Sequence, residues 1–315
     1  MYGFGLRLAA SVVSVCFALV VGSGCSGTVT TTTNTGNSST VALLSVERSA
    51  SASDTASTPG THASAYFMRL QAGADSVLAA RLVGADLSLP AVGQCESADA
   101  LWNRGLPLAS LEPVDLVDVG QVSLEAGQTM ETMAARAFPD VVDLVSGVVY
   151  TTRDQITDTL PDGERYVFRI SGSAAFPPAA LGALAPSPPA DVQISGSPLG
   201  TDAVAVARQD LPLHWQAFPG GSVIYVDIVP NDEGAVGRVR CTFADVGDAT
   251  IPAGALPHGA AQTVAFHRVL RAPAEPVDQD AQLPQGPAGA VNLDGAEIRF
   301  DLATTGALRF EAAAP

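Results

Sequence analysis

The chain has 315 residues and a formal charge of −16 at pH 7, and all 16 of its basic residues are arginine. An acidic chain repels nucleic acid, whose binding depends on Lys and Arg contacts to phosphate, so the composition excludes a nucleic-acid partner. The absence of lysine also excludes the phosphate-binding lysine of a P-loop and a Schiff-base lysine. Hydrophobic residues make up 47% of the chain, which is ample for packed cores, and the length suits two domains.

The start of the chain predicts an export signal. A single cation, Arg7, precedes an apolar stretch over residues 8–21, and small residues at 22–24 lead to Cys25. A charged start, an apolar core of this length and small residues before the cut are typical of a secretory signal peptide. The apolar stretch is shorter than the ~20 residues that span a bilayer, so we do not expect a retained transmembrane helix.

Residues 23–25, Ser-Gly-Cys, resemble the end of the lipobox of bacterial lipoprotein precursors, although Gly22 stands where that motif has Leu. The resemblance implies that residues 1–24 are removed and that the Cys25 sulfur carries a diacylglyceryl group, which attaches the protein to the membrane. Two or three acyl chains hold a protein firmly, since each buried methylene contributes ~0.8 kcal/mol. In the family's sorting rule, Ser26 implies the outer membrane. An ordinary signal peptidase cut before Cys25 would instead give a secreted protein.

Residues 25–61 are predicted to form the lipidated cysteine and a flexible, disordered tether. The segment is rich in Ser and Thr and is interrupted only by an apolar run over 41–44. Such a composition buries too little apolar surface to fold. A flexible chain of this length has a mean span of roughly 30–36 Å, so the tether would hold a folded head away from the membrane.

Residues 62–173 are predicted to form a first β-rich domain. Runs of Val, Leu and Thr alternate with Gly, Pro and Asp turns, as is typical of short strands. The segment 123–138 fits either a strand or a short helix. Residues 174–190 are rich in Ala and Pro, which predicts a stiff linker and a domain boundary. The strand candidates in this domain are 78–83, 114–119, 148–152 and 166–170.

Residues 191–315 are predicted to form a second β-rich domain. Apolar residues alternate with polar ones in four runs of this stretch, which predicts an antiparallel sheet with one buried face and one wet face. The four runs are 211–215, 224–228, 239–243 and 298–302. The polar positions predicted to face water include Tyr225, Asp227, Arg240, Arg299 and Asp301.

The stretch 186–313 resembles immunoglobulin-like and fibronectin type III-like sandwiches. A Pro-rich segment precedes Trp215, which is predicted to be a core residue, and a strand with Tyr225 follows. A tyrosine corner and the paired cysteines of antibody domains are not found in this stretch. The predicted fold class is all-β, with two β-sandwich-like domains behind a signal peptide and a disordered Ser/Thr-rich tether.

The cysteines other than Cys25 leave two interpretations open. Cys16 is removed with the signal, which leaves Cys95 and Cys241, one in each predicted domain. Outside the cytoplasm these two thiols are a candidate disulfide, which would clamp the two domains together. Alternatively, Cys241 is a small buried hydrophobe beside apolar neighbours, and Cys95 lies apart in a loop.

No catalytic or metal-binding motif is found in the sequence, and we predict no cofactor and no resident metal. Gly221-Ser222 lacks the second glycine of a nucleophile elbow. Paired carboxylates also occur, but closeness in sequence does not place two acids across a glycosidase cleft. The four histidines fit no zinc spacing: His62, His214, His258 and His267. The carboxylate pairs are Asp115 with Asp118, Asp140 with Asp143, and Asp232 with Glu233.

Acidic residues near two turns keep a calcium-binding alternative open. Carboxylate oxygens at turns are suitable calcium ligands. Turns also favour Asp for backbone reasons alone, so the pattern has a purely structural interpretation as well. The residues concerned are Asp227, Asp232, Glu233, Asp245 and Asp248.

These features predict a lipid-anchored protein of the cell envelope with a non-catalytic binding, adhesion or scaffolding role. Its partner would be an envelope protein or a glycan, and Trp102 is either a contact for such a partner or a packed loop residue. The alternative is an extracytoplasmic hydrolase whose site lies between the two domains, where pockets often form.

Overall fold

Strands make up most of the chain that the structure describes, which confirms the predicted all-β fold class. The structure is a computed structural model, and it describes residues 38–52, 60–71, 73–102, 112–138, 144–153, 160–200, 202–231, 237–277 and 293–311. Two α-helices, α1 (Ser76–Leu82) and α2 (Ala98–Trp102), and a short 3-10 helix (Ala253–Ala255) accompany the strands. The strands are β1 (Ser39–Ser51), β2 (Gly60–Leu70), β3 (Gln94–Ser97), β4 (Val114–Leu116), β5 (Val122–Ala126), β6 (Thr129–Thr132), β7 (Ala134–Ala137), β8 (Val145–Thr151), β9 (Arg165–Ile170), β10 (Ala179–Leu184), β11 (Gln193–Ile194), β12 (Ser197–Pro198), β13 (Val204–Val206), β14 (Leu211–His214), β15 (Val223–Pro230), β16 (Val239–Ala244), β17 (Asp248–Ile251), β18 (Ala261–Pro273), β19 (Glu275–Pro276) and β20 (Gly295–Phe310).

One large sheet runs through the whole fold. Its strand order is β3-β16-β15-β18-β20-β1-β2-β4-β8-β7, and β13 also pairs with β20. The first strand, β1, lies parallel beside the last strand, β20, so residues from the two ends of the described chain are neighbours. Two smaller sheets, β19-β10-β9-β5-β6 and β12-β11-β14-β17, pack against the large one.

Two hydrophobic cores lie on the inner face of the large sheet. The first core packs the large sheet against the β10-β9-β5 sheet and includes Phe67, Phe168 and Phe300. The second packs it against the β11-β14-β17 sheet and includes Trp215. The long strands serve both cores, because β20 contributes Phe300 to the first and Leu308 to the second. The fold is therefore a pair of β-sandwiches that share one sheet.

The predicted separation into two domains joined by a linker is wrong. The described residues between 38 and 311 lie in a single compact unit. Within the predicted linker at 174–190, β10 is a strand of the first sandwich. Its small residues reflect close packing, because a side chain at Gly182 would come within 2.9 Å of Val277 and 3.1 Å of the Tyr166 carbonyl oxygen. Composition suggested a linker where the chain needs small side chains.

The predicted tether is also wrong over β1 and the start of β2. Three apolar side chains of β1, Ala42, Leu44 and Val46, are fully buried in the first core. The alternation of these apolar residues indicates a strand. The Ser/Thr-rich composition hid this pattern, because Ser and Thr are tolerated at the other positions of a strand. The predicted signal peptide, Cys25 and residues 53–59 lie outside the described residues.

Helix α1 occupies a stretch where the sequence predicted a strand at 78–83. Asp75 caps it, since its Oδ1 accepts hydrogen bonds from the backbone N–H of Val77 at 2.9 Å and of Leu78 at 3.3 Å. The segment 123–138, left open between strand and helix, forms strands β5, β6 and β7. No helix among the described residues is long and apolar enough to cross a membrane.

Arg268 and Asp245 form a buried ion pair on the inner face, between the two cores. We call this pair and the groups that hydrogen-bond to it the junction cluster. Arg268 of β18 is 2% exposed, and its Nε donates to Asp245 Oδ2 at 2.7 Å. Its Nη1 donates to the Ser187 carbonyl at 2.8 Å and the Pro188 carbonyl at 3.1 Å. Asp245 also accepts from Trp215 Nε1 at 2.7 Å. The cluster therefore holds the Pro-rich crossing between the sandwiches, whose prolines have no N–H of their own.

Candidate functional site

The outer face of the large sheet is covered where the sequence predicted a wet face. Helix α1 and the start of the segment 84–97 that follows it, called the strap below, lie over this face, and the strap ends in β3, the edge strand of the same sheet. The prediction of a solvent-exposed face is therefore wrong at the centre of the sheet. A strand that is covered on both faces can still alternate apolar and polar residues, because the buried polar residues pair with one another. The polar residues predicted to be wet but found buried are Tyr225, Asp227, Arg240, Thr242, Arg299 and Asp301.

The first part of the covered face is a bidentate ion pair between Asp227 and Arg240. Arg240 donates from Nε to Asp227 Oδ1 and from Nη2 to Oδ2, each at 2.8 Å. Its Nη1 donates to the Ser88 carbonyl of the strap at 3.1 Å. Asp227 is 2% exposed and Arg238 donates to it as well. The pair is internal, so its charges serve to fix the strap on β15 and β16.

The second part joins Asp301, His267 and Tyr225. Asp301 accepts from the Tyr225 hydroxyl at 2.8 Å and lies 2.8 Å from His267 Nδ1. The Tyr225 and His267 rings are stacked with centroids 4.1 Å apart, and Arg240 lies 4.5 Å over the other face of Tyr225. Burial raises the pKa of Tyr225 well above its usual value, and the Asp301 charge adds to the shift. Sequence reasoning missed this set because its members come from three strands.

Acidification is expected to destabilise the fold through two buried carboxylates. Burial alone would raise the pKa of Asp227, but hydrogen bonds and charge from Arg240, then Arg238, hold it below its usual value. The same balance, with Arg268 as the leading partner, lowers the pKa of Asp245. Both groups therefore stabilise the fold above the unfolded pKa of about 3.9 and lose this contribution as pH falls through the lower folded values.

The measurement is the urea midpoint between about pH 7 and about pH 3, which should drop mainly below about pH 4. Asp227→Asn removes one of the two titrating groups, so the variant should lose less stability between the two pH values than the parent. An equal loss in both chains would contradict the role of Asp227.

The open part of this face is a groove beside α1, formed by two adjoining hollows of about 490 and 450 Å³. Val77, Asp86 and Arg271 line both hollows. Volumes of this size, with apolar walls and a few polar groups, are typical of small-molecule sites. The apolar walls of the first hollow include Leu87, Leu89, Val223 and Val269, and those of the second include Val41, Leu43, Met68, Ala80 and Pro273.

Two arginines border the second hollow of the groove. Arg271 of β18 has a side chain that is 49% exposed, and its nearest carboxylate atoms are Asp86 Oδ1 at 3.8 Å and Glu297 Oε1 at 3.9 Å. Arg299 of β20 has a side chain that is 7% exposed and lies 3.7 Å from Glu47 Oε1. Its Nη1 donates to the Ala85 carbonyl of the strap. The groove thus combines an apolar wall with a border of two arginines and two carboxylates, Asp86 and Glu297.

In the structure Cys95 and Cys241 are joined by a disulfide, with Cα atoms 4.0 Å apart. They are direct partners in the pairing of β3 with β16, so the bridge fixes the end of the strap to the large sheet. Cys241 is fully buried in the second core, as the alternative interpretation expected of its side chain.

The structure does not bring the other sequence-predicted residues together. His62 and His214 are exposed on β2 and β14, and His258 is exposed in a loop. Among the described residues, no three His, Cys, Asp or Glu side chains are placed to hold a metal ion. Asp118 accepts hydrogen bonds from the Gly120 N–H and the Tyr150 hydroxyl, each at 2.9 Å.

Of the residues of the calcium alternative, Asp248 is exposed at the start of β17, and the other four are divided between two situations. Asp227 and Asp245 direct their carboxylate oxygens to arginine, which leaves them no open ligand position of the kind calcium requires. Asp140, Asp143, Asp232, Glu233 and the Trp102 side chain lie outside the described residues. Trp215 is a core residue, as predicted.

Comparison with known proteins adds little to this description. No protein family model matches the chain. No curated protein matches it either. Among solved structures, the chain is similar to chicken CNTN1 FN1-FN3 domains at 12% identity, over 64% of this chain and 61% of that one, with a TM-score of 0.21. The match spans less than two thirds of that chain, and the β-sandwich assignment rests on the strands and cores described above.

Proposed function

We propose that this chain is a lipid-anchored protein of the bacterial cell envelope whose folded part has a non-catalytic binding or scaffolding role. Residues 1–24 would direct export, and lipid on Cys25 would attach the chain to the outer membrane. An envelope protein, a glycan or a smaller envelope component would be its partner. The signal pattern and the lipobox resemblance support the anchor.

The groove is the observation that carries the binding role. The charges of Asp227, Arg240 and Asp301 on the covered face are used in internal pairs, as are those of the junction cluster. The groove instead presents apolar side chains, the half-exposed Arg271 and the carboxylates of Asp86 and Glu297. Apolar surface with a few convergent polar groups is the usual composition of a ligand site.

The groove also lies close in sequence to the proposed anchor. Residues 26–38, a stretch of 13, separate Cys25 from β1, and they reach at most about 43–47 Å when fully extended. Val41 and Leu43, at the start of β1, line the second hollow. A ligand that resides in or near the membrane would therefore be within reach of the groove.

Replacing Cys25 by Ser is expected to move the protein from the membrane fraction to the soluble fraction, because the hydroxyl is not a substrate for thioether lipidation. Mass spectrometry of the N-terminal peptide should show diacylglyceryl and acyl groups on Cys25 of the parent chain. Cys16→Ser is the matched control, since this residue would leave with the signal and the variant should stay in the membrane. A soluble parent chain with a free N-terminus at Cys25 would contradict the anchor.

One observation favours the second candidate, an extracytoplasmic hydrolase with a site between the two halves. His267 and Asp301 lie on β18 and β20, the strands that both sandwiches share, and Asp301 fixes the ring through Nδ1. Among the described residues, His267 makes its hydrogen bond through Nδ1, which leaves Nε2 pointing away from Asp301. Neither residue lines the groove. Hydrolysis of an ester, peptide or glycoside by the parent, lost in His267→Gln, would support this candidate.

A further inference from the structure

We propose that the groove binds the carboxylate of a long-chain amphiphile through Arg271 and Arg299. The inference names the ligand class for the non-catalytic binding role proposed above, and it rests on that role. Three observations support it: the pairing of the two arginines, their incomplete hydrogen bonding, and the apolar wall beside them.

The two arginines are direct partners across the large sheet. Arg271 of β18 faces Arg299 of β20 in the antiparallel register, on the same outer face. Like charges directly opposite each other destabilise a sheet. Asp86, Glu297 and Glu47 offset part of this repulsion from 3.7–3.9 Å, and an anion held between the two guanidinium groups would reduce it further, since both cations would then share a close counter-charge.

The carboxylates of the protein do not complete the hydrogen bonding of this pair. The ion-pair distances to Asp86, Glu297 and Glu47 are 3.7–3.9 Å, beyond the 2.7–3.2 Å of a normal N–H···O bond. Nε of Arg299 is buried and has no hydrogen-bond partner within the described residues. A buried charged donor without an acceptor is unusual in a folded chain. A ligand oxygen in the second hollow would supply a hydrogen-bond acceptor to the two arginines after a small adjustment of the side chains.

The rest of the second hollow suits an alkyl chain. Its wall combines Leu43 of β1, Met68 of β2 and Ala80 of α1 with the arginines, in a volume of about 450 Å³. Val77, which is 56% exposed, stands where the two hollows adjoin, so a chain could continue from one to the other. A planar carboxylate matches the donor fork of arginine, and the alkyl tail would cover apolar surface that is now open to water.

The test measures binding of cis-parinaric acid, a fluorescent long-chain carboxylate, to the full chain with Cys25→Ser, which carries no acyl groups of its own. We expect saturable binding of one molecule per chain, and binding of the methyl ester that is weaker by about tenfold or more. Arg271→Met should weaken acid binding by about tenfold and leave ester binding unchanged. Arg309→Met is the matched control, because Arg309 is exposed on β20 outside the groove.

Without ligand, Arg271→Met should unfold at a temperature no lower than that of the parent, because the variant removes the repulsion between the two arginines, and this separates a lost contact from a lost fold. Equal affinity for acid and ester, or an unchanged affinity in Arg271→Met, would overturn recognition of the carboxylate. Tighter binding of lysophosphatidate than of the fatty acid would overturn the assignment of the headgroup. Binding that is lost once Cys25 is acylated would overturn a free amphiphile as the occupant, because the protein's own lipid would then fill the groove.

Failure of this test and failure of the anchor can be told apart. An unmodified Cys25 with normal binding of the acid would remove only the anchor. An acylated Cys25 with no saturable binding in the Cys25→Ser chain would remove only the carboxylate site.

Discussion

Replacing Arg268 by Met is expected to lower the free energy of unfolding by about 3–5 kcal/mol. Arg268 and Asp245 form a buried pair with side chains that are 2% and 1% exposed. Removing one partner leaves Asp245 buried without its counter-charge, although Trp215 still donates to it. The carbonyls of Ser187 and Pro188 also lose their donor, so the crossing between the two sandwiches is released at the same time.

The measurement is equilibrium unfolding in urea at neutral pH, with Arg165→Met as the matched control. Arg165 pairs with Glu275 at 2.8 Å, but the two side chains are 44% and 64% exposed. An exposed pair contributes about 0–1 kcal/mol, so this control should be nearly neutral. The double variant Arg268→Met/Asp245→Asn should lose less than the sum of the two single losses, because the second change removes the unpaired charge. A loss below about 1 kcal/mol for Arg268→Met would contradict a structural role for the pair.

The all-β class could be predicted from the sequence because the alternation of apolar and polar residues is a local property of each strand. The even-numbered apolar positions of β15 and β20, such as Val226 and Phe300, do face the two cores. The same reasoning failed for their odd-numbered neighbours, because burial of Tyr225 or Asp301 depends on what lies above the sheet. The covering element is the strap, which is far away in sequence, and no local pattern indicates it.

Amino-acid composition led to a wrong prediction at two places, the predicted tether and the predicted linker. There the strands contain polar or small residues that composition alone assigns to unfolded segments. The Ser/Thr-rich start resembles a tether, yet it contains β1, which pairs with β2 and, near the other end of the chain, with β20. Likewise, Ala and Pro at 174–190 resemble a linker, yet β10 is a strand of the first sandwich and the crossing after it is held by Arg268. Both strands also pair with a distant strand, β20 or β19, and such pairing leaves no trace in a short window of sequence.

The candidate site was largely invisible in the sequence for the same reason. Arg271 and Arg299 each appear as one polar residue in an alternating strand, and their opposition follows only from the register of β18 with β20. The pairing of His267 with Asp301 also depends on that register. The exceptions are Cys95 and Cys241, which could be named as candidate partners because an exported chain tends to pair its thiols.

Replacing both Cys95 and Cys241 by Ala is expected to lower the free energy of unfolding by about 2–5 kcal/mol. The bridge spans 146 residues of sequence, and the chain-entropy model gives about 5 kcal/mol for a loop of this length. The double Ala variant also loosens one end of the strap, which keeps its backbone pairing to β16 and its contacts with Arg240 and Arg299. Hydrogen exchange in 84–97 should therefore increase before that of the cores.

A dithiol reductant supplies the control for this prediction. It should lower the urea midpoint of the parent chain to that of the double Ala variant and should leave the variant unchanged. Leu87 and Leu89 of the strap line the first hollow, so the loss of the bridge should also weaken binding in the groove. A non-reducing peptide map that shows both thiols free, or a parent that is insensitive to the reductant, would contradict the role of the bridge. In that case the strap would be held without the bridge, by Arg240, Arg299 and the pairing of β3 with β16.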